Sequence, residues 1–538
     1  MKVPDPPRSS KTKLEVPVHK KKLKVAPKPN KKVPTPSHPP INLTPKVPIL
    51  KHPEDRKKIN VRYPLISPYA SAHIFWNSEV GEVVYEIEEP ILDDKEKVIL
   101  EELKDGMTQT INFSVVEKSQ QAILSYLDKL AKLVLSELGY KVSKNSYEKY
   151  FYFLYRDFIG LNQIEPLLQD FMIEDIECNG INSNLYIVHR IYRNLRTNIV
   201  FNNIDNLANF VEKLAQRCGR YVSYANPLLD GTLPDGSRVN ATYTTDISSK
   251  GPTFTIRKFT KIPLTPIQLL ENKTLSPRML AYFWLLLQYK SNLLIAGGTG
   301  SGKTTLLNAL AFFIPPGARI VSIEDTRELN LIHENWLPSV ARTGIGGVGE
   351  VDLFALLKES FRQNPDYVIV GEVRGNEAYV LFQGMASGHP SLSTLHADSV
   401  NTVIKRLETP PINLSPTLIN TLDALAVMTH AKVKSHDYRK LREITEIIDV
   451  SSTGEAKSEK PFEWDASRNE FSFSGESTVF RKIAKRYGVS EEDLLQELDN
   501  RSQLLNSLLK KKILSFEKVQ RIINDYYKDP QKVLDTYL

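Results

Sequence analysis

The sequence predicts an α/β protein whose C-terminal half is a mostly parallel β-sheet covered by helices. Between about residues 266 and 450, short apolar runs such as "SNLLIAGG", "ARIVSIED" and "DYVIVGE" alternate with helical patterns. This alternation is typical of parallel strands that are joined by helices. The first of these runs leads into "GGTGSGK" and a further helical pattern, which predicts a strand, a tight glycine-rich loop and a helix in sequence. Smaller strand-and-helix segments precede this domain.

Changes in composition and the positions of proline and glycine divide the 538 residues into six segments. We predict a disordered basic tail (1–58), a small N-terminal mixed domain (59–160), an α+β domain (161–258), a linker (259–265), the main α/β domain (266–475) and a C-terminal helical region (476–538).

The basic charge of the chain belongs to the tail. The whole chain carries a net charge of +7, but residues 1–58 contain 14 lysines and two arginines against four acids, together with 13 of the 33 prolines. Such a segment buries too little apolar surface to offset its ordering entropy. The rest of the chain is net acidic, which argues against a motor that tracks nucleic acid, because tracking requires cationic contacts to phosphates.

The two cysteines, Cys178 and Cys218, are far apart and have no metal-ligand spacing. They indicate a reducing compartment without a disulfide framework. No apolar run approaches the roughly 18 residues that a membrane-spanning helix needs. We therefore expect a cytoplasmic protein.

The strongest motif is "GGTGSGKTT", in which Gly297, Gly302, Lys303 and Thr304 satisfy G-x-x-x-x-G-K-[ST]. Its glycines let backbone N–H groups turn towards phosphate oxygens, and the following helix points its positive end at them. Lys303 is expected to reach the β- and γ-phosphates of a nucleotide, and the Thr304 hydroxyl to ligate Mg²⁺. The predicted nucleotide-binding residues are Gly297, Gly298, Thr299, Gly300, Ser301, Gly302, Lys303, Thr304 and Thr305.

Two further strands end in carboxylates. "RIVSIEDTREL" places Glu324, Asp325 and Glu328 after an apolar run, and "DYVIVGEVRG" places Glu372 after another. Beside a phosphate-binding loop, such carboxylates hold Mg²⁺ and its water or polarise the attacking water. We predict Thr304, Glu324, Asp325 and Glu372 as the metal side of the site, with Gly371 leaving room for Glu372 to reach.

Two basic side chains follow the second strand. Arg374 is expected to pair with a carboxylate or to contact a neighbouring subunit. His396, in "STLHA", is expected either to be a structural histidine or to bind the γ-phosphate or a catalytic acid.

The four stretches "GGTGSGKTT", "IEDTREL", "NPDYVIVGEVRG" and "GHPSLSTLHA" occur in this order. They resemble the Walker A, Asp box, atypical Walker B and His box of the secretion-superfamily ATPases, which drive type II secretion, type IV pili and the archaeal flagellum. The match extends from about residue 165 to 450, and the C-terminal helical region looks like that of the archaeal branch.

The resemblance implies a RecA-like ATPase domain, with ATP and Mg²⁺ as cofactors. It implies that Glu328 and Glu372 serve the water and the metal, without deciding which is the general base, and that His396 is the His-box residue. Arg238 in "LPDGSRVNAT" and Arg257 in "TFTIRKF" align with arginines that the family brings from the N-terminal domain to the nucleotide. No other arginine lies between them, so a third one is in doubt.

The resemblance further implies a homohexamer at the inner face of the membrane, working with a polytopic membrane platform protein. Assembly of a pilus-like filament or type II-like secretion is favoured over archaeal-flagellum assembly or rotation by glycine at position 300, where flagellar motors often have alanine. The basic tail is expected to contact an anionic membrane or a partner, or else to be an idle solubilising extension.

Overall fold

The computed structural model describes residues 38–43, 48, 50, 55–110, 119–259, 262–342, 349–433, 436–451 and 455–538. Most of the predicted tail (1–58) lies outside these ranges, so its disorder stays a prediction. The chain divides into two compact units, one containing residues 90–160 and the other containing residues 43–89 and 161–538.

The unit of residues 90–160 is helical. Its helices are α1 (Asp94–Thr110), α2 (Gln120–Glu137) and α3 (Lys144–Leu154). The side chain of Ser119 accepts a hydrogen bond from the first turn of α2, and that of Ser143 does the same for α3, so serine caps begin both helices.

The second unit contains two sheets of nine strands each within the described residues. The N-terminal sheet has the order β1-β2-β3-β6-β5-β4-β9-β8-β7, and only β3 and β6 pair in parallel within it. Its strands are β1 (Asn60–Ile66), β2 (Ala70–Asn77), β3 (Glu82–Glu88), β4 (Ile173–Cys178), β5 (Asn184–His189), β6 (Arg193–Val200), β7 (Leu228–Thr232), β8 (Arg238–Thr242) and β9 (Thr253–Arg257). Helices α4 (Glu165–Gln169) and α5 (Ile204–Arg217) accompany it.

This sheet differs from our prediction of one small domain over residues 59–160. Strands β1 to β3 join the sheet of residues 173–257 through the pairing of Val84 and Tyr85 with Arg196 and Thr197. The helices of residues 94–154 fall in the other unit. Alternation of apolar and polar residues identifies a strand but not its pairing partner, so this division was not visible in the sequence.

The C-terminal sheet has the order β12-β11-β13-β14-β10-β15-β16-β17-β18. Its strands are β10 (Leu293–Gly297), β11 (Ile320–Glu324), β12 (Trp336–Val340), β13 (Tyr367–Val370), β14 (Ser391–Leu395), β15 (Ala424–Val433), β16 (His436–Val450), β17 (Ala456–Asp465) and β18 (Glu470–Phe473). The pairs from β12 to β15 are parallel, and the remaining three are antiparallel. The predicted α/β fold class is confirmed, and β14 lies between the strand that leads into the glycine-rich loop and β13.

Helices cover both faces of this sheet. They are α6 (Pro266–Glu271), α7 (Pro277–Gln288), α8 (Lys303–Ala311), α9 (Leu353–Ser360), α10 (Glu377–Ala386), α11 (Val400–Glu408) and α12 (Pro416–Ile419). Alternate residues of one strand enter opposite cores: Leu293 and Ile295 pack with α7 and α8, whereas Leu294 and Ala296 pack with α10 and α11. Strands buried on both faces read as continuous apolar runs, which is why these segments lack alternation in the sequence.

The C-terminal region consists of α13 (Thr478–Tyr487), α14 (Glu491–Lys510), α15 (Phe516–Lys528) and α16 (Pro530–Tyr537). Ser490 and Asp493 form a capping box that begins α14. These helices share a core with α7 and α8. Among the described helices, none combines the length and the hydrophobicity that a membrane crossing requires.

Candidate functional site

The glycine-rich loop connects β10 to α8. Gly302 has a φ of +95°, a left-handed conformation that favours glycine, and it stands at the N-cap of the helix that Lys303 begins. Gly298, Thr299 and Gly300 are exposed, and a Cβ built at Gly298 or Gly300 would meet no atom within 4 Å. The loop therefore borders open space at the positive end of α8, which is the arrangement that binds phosphate groups.

Lys303 is held at the base of this loop. Its Nζ donates a hydrogen bond to the carbonyl of Gly298 at 3.1 Å and lies 3.3 Å from Nδ1 of His396. The side chain is buried, and this burial lowers the pKa of Lys303, while the negative charges of Glu372 and Glu328 act in the opposite direction. Thr304 and Thr305 follow on the first turn of α8 and are half-buried.

A chain of polar and charged groups runs from Lys303 to the Asp box. The Nε2 atom of His396 lies 3.0 Å from Oε1 of Glu372, and Oε2 of Glu372 accepts a hydrogen bond from Arg374 at 2.5 Å. Arg374 also lies 3.6 Å from Asp325. The structure thus brings together residues of the Walker A, Asp box, Walker B and His box segments, and Arg374 pairs with carboxylates of its own chain.

The tautomer of His396 follows from its neighbours. An ammonium group only donates, so Nδ1 facing Lys303 is an acceptor, and the proton of the neutral ring is then on Nε2, facing Glu372. Burial and the positive charge of Lys303 lower the pKa of His396. The ring is neutral at neutral pH.

Glu324 differs from the other Asp-box acids. It is 2% exposed, and its Oε1 accepts hydrogen bonds from the backbone N–H groups of Glu328 and Leu329, both at 2.9 Å. Within the described residues no donor reaches Oε2. Burial raises the pKa of Glu324 to about 7. These contacts are those of a group that shapes the Asp-box turn, and its assignment as a metal ligand stays a prediction.

Gly371 serves a purpose other than the one we inferred from the sequence. A Cβ built there would lie 3.1 Å from Cγ of Glu324. The glycine therefore makes room for Glu324 on the neighbouring strand, whereas we had expected it to clear the approach of Glu372.

Arg238 and Arg257 stand on neighbouring antiparallel strands, β8 and β9, directly opposite each other. The negative charge of Glu328 contributes to raising the pKa of Arg257, after the hydrogen bond and charge of Asp175. Burial raises the pKa of Asp325, against the lowering effects of Arg374 and Arg238. Both arginines of the N-terminal sheet thus lie within electrostatic range of the Asp box of the same chain.

Three residues at the site were missed by sequence reasoning. Glu377 accepts hydrogen bonds from the backbone N–H groups of Arg374 (2.5 Å) and Gly375 (2.7 Å), and Arg406 donates to the carbonyl of His396. Arg439, on β16, lies beside Gly302: a Cβ built at that glycine would be 3.4 Å from Cδ of Arg439. Glu377 could have been found from the local sequence, because an acid three residues after Arg374 is placed to accept from the backbone of that turn. Arg439 could not, because only strand pairing brings it to the loop.

The residues present fit a nucleotide with Mg²⁺. The loop leaves open space where phosphates would lie, Lys303 is placed at its base, and the hydroxyl of Thr304 follows it. In the described part of the chain, no three His, Cys, Asp or Glu side chains converge as metal ligands. The predicted residues Thr304, Glu324, Asp325 and Glu372 are those that would hold the metal or its water shell, together with phosphate oxygens.

The family described as "Type II/IV secretion system protein" matches residues 159–443. The uncharacterized protein MJ0900 of Methanocaldococcus jannaschii is 35% identical over 505 residues, which cover 88% of this chain and 90% of that protein. The type IV secretion system protein PtlH of Bordetella pertussis is 32% identical over 277 residues, which cover 46% of this chain and 75% of that protein.

Two solved structures are similar at low identity. The VirB11 ATPase of the Brucella suis type IV secretion system has 23% identity and a TM-score of 0.28, with 52% of this chain and 95% of that chain covered. The pilus retraction motor PilT with bound ADP has 17% identity and a TM-score of 0.35, with 64% and 92% covered.

Proposed function

The chain belongs to the type II/IV secretion system protein family, and from this membership we propose that it is a Mg²⁺-dependent ATPase that acts as a homohexamer and powers assembly of a pilus-like filament, or secretion, through a membrane platform protein. The observation that carries the proposal is the connected chain from Lys303 through His396 to Glu372. It links the phosphate-binding loop to a carboxylate at a strand tip, and a carboxylate placed there can orient the attacking water or accept its proton.

The first part of the chemistry is charge compensation. Backbone N–H groups of the loop and the positive end of α8 would hold the phosphates, with Lys303 reaching their oxygens. Bound Mg²⁺ would neutralise phosphate charge and fix the phosphate geometry. Arg238 and Arg257 would add planar cationic forks for the charge that spreads over the γ-phosphate oxygens.

The second part is the handling of water. Glu372 lies 3.0 Å from His396, which contacts Lys303, and the negative charge of Glu328 also acts on Lys303; both observations support a role for the two carboxylates beside the γ-phosphate. We assign the orientation of the attacking water, and the acceptance of its proton, to this pair. His396 contacts both Lys303 and Glu372, so the loss of the γ-phosphate would change its contacts and report the state of the nucleotide.

The experiment that tests the proposal uses the purified full-length chain. We expect slow, Mg²⁺-dependent release of phosphate from ATP, and we expect Lys303→Ala to lower the turnover by about 100-fold or more. Lys290→Ala is the matched control, because Lys290 is a lysine of the same domain that pairs with Asp366 on the surface, 3.2 Å away. Turnover by Lys303→Ala at the wild-type rate would remove the proposal.

The oligomer and the output need separate measurements. Light scattering after size-exclusion chromatography, with and without a non-hydrolysable ATP analogue, tests the hexamer. The genes that neighbour the coding gene test pilus assembly or secretion against the archaeal-flagellum alternative.

A further inference from the structure

Arg257 and Arg238 form a cross-strand pair of like charges. Two cations directly opposite each other on one sheet repel and destabilise it. In this sheet each arginine also has a carboxylate partner: Asp175 for Arg257 and Asp230 for Arg238. The partners come from the strands that flank the arginine-bearing strands, β4 and β7.

The two contacts use one edge of each guanidinium. The Nε atom of Arg257 donates to Oδ1 of Asp175 at 3.1 Å. The Nε and Nη2 atoms of Arg238 donate to the two carboxylate oxygens of Asp230, at 3.2 and 2.9 Å. A guanidinium has five N–H donors in a fixed plane. Holding the Nε edge fixes that plane and leaves terminal N–H groups to meet a second oxyanion.

In the Asp175–Arg257 contact the acid is mostly buried and the arginine is mostly exposed. Asp175 is the register partner of Arg257 on β4, and its side chain is 17% exposed, whereas the side chain of Arg257 is 64% exposed. The acid is therefore anchored in the sheet while the arginine extends from it. Asp230 is placed differently, because it lies two residues along β7 from Thr232, the register partner of Arg238. Its side chain is 52% exposed and that of Arg238 is 42% exposed, so the two hydrogen bonds to the carboxylate, and not burial of the acid, orient Arg238.

We propose that Asp175 and Asp230 are positioning residues that hold Arg257 and Arg238 by their Nε edges and aim the terminal nitrogens at the γ-phosphate. This inference rests on the proposed ATPase function. Exposed ion pairs contribute little to stability, typically about 1 kcal/mol or less, so stability alone gives a weak reason for these acids. Orientation of the guanidinium groups gives a stronger reason for these acids, because misplacing a charged group by about 1 Å lowers the rate by up to about 100-fold.

The test is a double-mutant cycle on the full chain. Asp175→Ala is expected to lower kcat for Mg·ATP about tenfold, while KM and the midpoint of thermal unfolding stay near the wild-type values. Asp175→Asn is expected to retain most of the activity, because its amide oxygen still accepts the Nε–H group. Asp175→Ala combined with Arg257→Ala is expected to turn over as slowly as Arg257→Ala alone, since the acid has no function without its arginine.

Glu88→Ala is the matched control, because Glu88 forms a 3.0 Å ion pair with Arg62 in the same sheet, away from both arginines. It is expected to keep the wild-type kcat. The positioning role is overturned if Asp175→Ala keeps the wild-type kcat, or if its effect multiplies that of Arg257→Ala. These outcomes leave Lys303-dependent hydrolysis by the wild-type chain intact, whereas a wild-type chain without such hydrolysis overturns the ATPase function and the inference together.

Discussion

The Nζ atom of Lys303 lies 3.3 Å from Nδ1 of His396, so the lysine of the phosphate-binding loop and the histidine of the fourth motif are direct neighbours. They are 93 residues apart in the chain and meet because β14, which ends just before His396, pairs with β10. The neutral histidine accepts from the lysine on one side and faces Glu372 on the other. This relationship ties the charge of the loop to the carboxylate of the neighbouring strand.

The first prediction concerns the pH dependence of turnover. The pKa of His396 lies below its usual value of 6.5, because burial and the charge of Lys303 disfavour the protonated ring, so the neutral form predominates at pH 6.5 and above. Protonation at lower pH puts a hydrogen on Nδ1 facing the Lys303 ammonium. We therefore expect the turnover of the wild-type protein to fall as the pH drops below 6.5, and His396→Gln to lack this fall while having a lower rate throughout. Initial rates across pH, at saturating Mg·ATP, measure both profiles.

Glu372→Gln should separate binding from turnover. The amide occupies the same volume, but it neither ligates nor accepts a proton as a carboxylate does. We expect this variant to bind ATP with near wild-type affinity. We expect its rate of hydrolysis to be lower than that of the wild type by about 100-fold or more. Titration with a fluorescent ATP analogue and phosphate release measure the two quantities. A collapse of affinity with normal turnover per bound site would make Glu372 a structural residue.

Glu324 predicts a pH-dependent stability. Its pKa is raised from 4.5 to about 7 in the folded protein, so between these values the folded state binds more protons than the unfolded state. The stability contributed by the protonated form is present below pH 4.5 and is lost as the pH rises through 7. We compare the free energy of unfolding of the wild-type protein with that of Glu324→Gln. Their difference, wild type minus variant, should fall by about 3 kcal/mol between pH 4.5 and 8.

Urea unfolding of both proteins at several pH values measures this difference. Asp366→Asn provides a carboxylate control in the same domain, because backbone and lysine contacts lower the pKa of Asp366. The free energy of unfolding of the wild type relative to Asp366→Asn should rise with pH, and it should do so in a lower pH range than the change seen with Glu324→Gln. A wild-type and Glu324→Gln pair with parallel pH profiles would contradict the assignment of Glu324 as a buried acid that is protonated near neutrality.

The basic tail should contribute to surface binding and not to hydrolysis. Residues 1–37 contain ten lysines and one arginine against two acids, and each basic residue near an anionic leaflet contributes about 1 kcal/mol. Deleting residues 1–37 should weaken binding to anionic liposomes at low salt and leave the ATPase rate unchanged. The cut spares residues 55–58, because Arg56 donates a hydrogen bond to the carbonyl of Tyr192.

Sedimentation with liposomes across a salt titration measures this binding. A tail-less protein that binds as well as the full chain at every salt concentration would leave the tail without an electrostatic role. Loss of ATPase activity on deletion would mean that the tail takes part in the motor.

The local sequence determined the elements of the nucleotide site. Apolar runs of four or five residues predicted β10, β11 and β13, since strands buried on both faces need no alternation. Glycine spacing and the lysine predicted the loop and the start of α8, because backbone conformation and helix polarity act over a few neighbouring residues. Helix α1 (Asp94–Thr110) lies in a stretch that we predicted only as part of a mixed domain.

Only the tertiary structure decided which of these elements meet. The pairing of β3 with β6 placed residues 60–88 in the N-terminal sheet, and the contact of Gly371 with Glu324 gave that glycine its purpose. The carboxylate partners Asp175 and Asp230 come from strands 82 and eight residues from their arginines. Such contacts depend on strand order and register, which are set by the packing of the whole sheet.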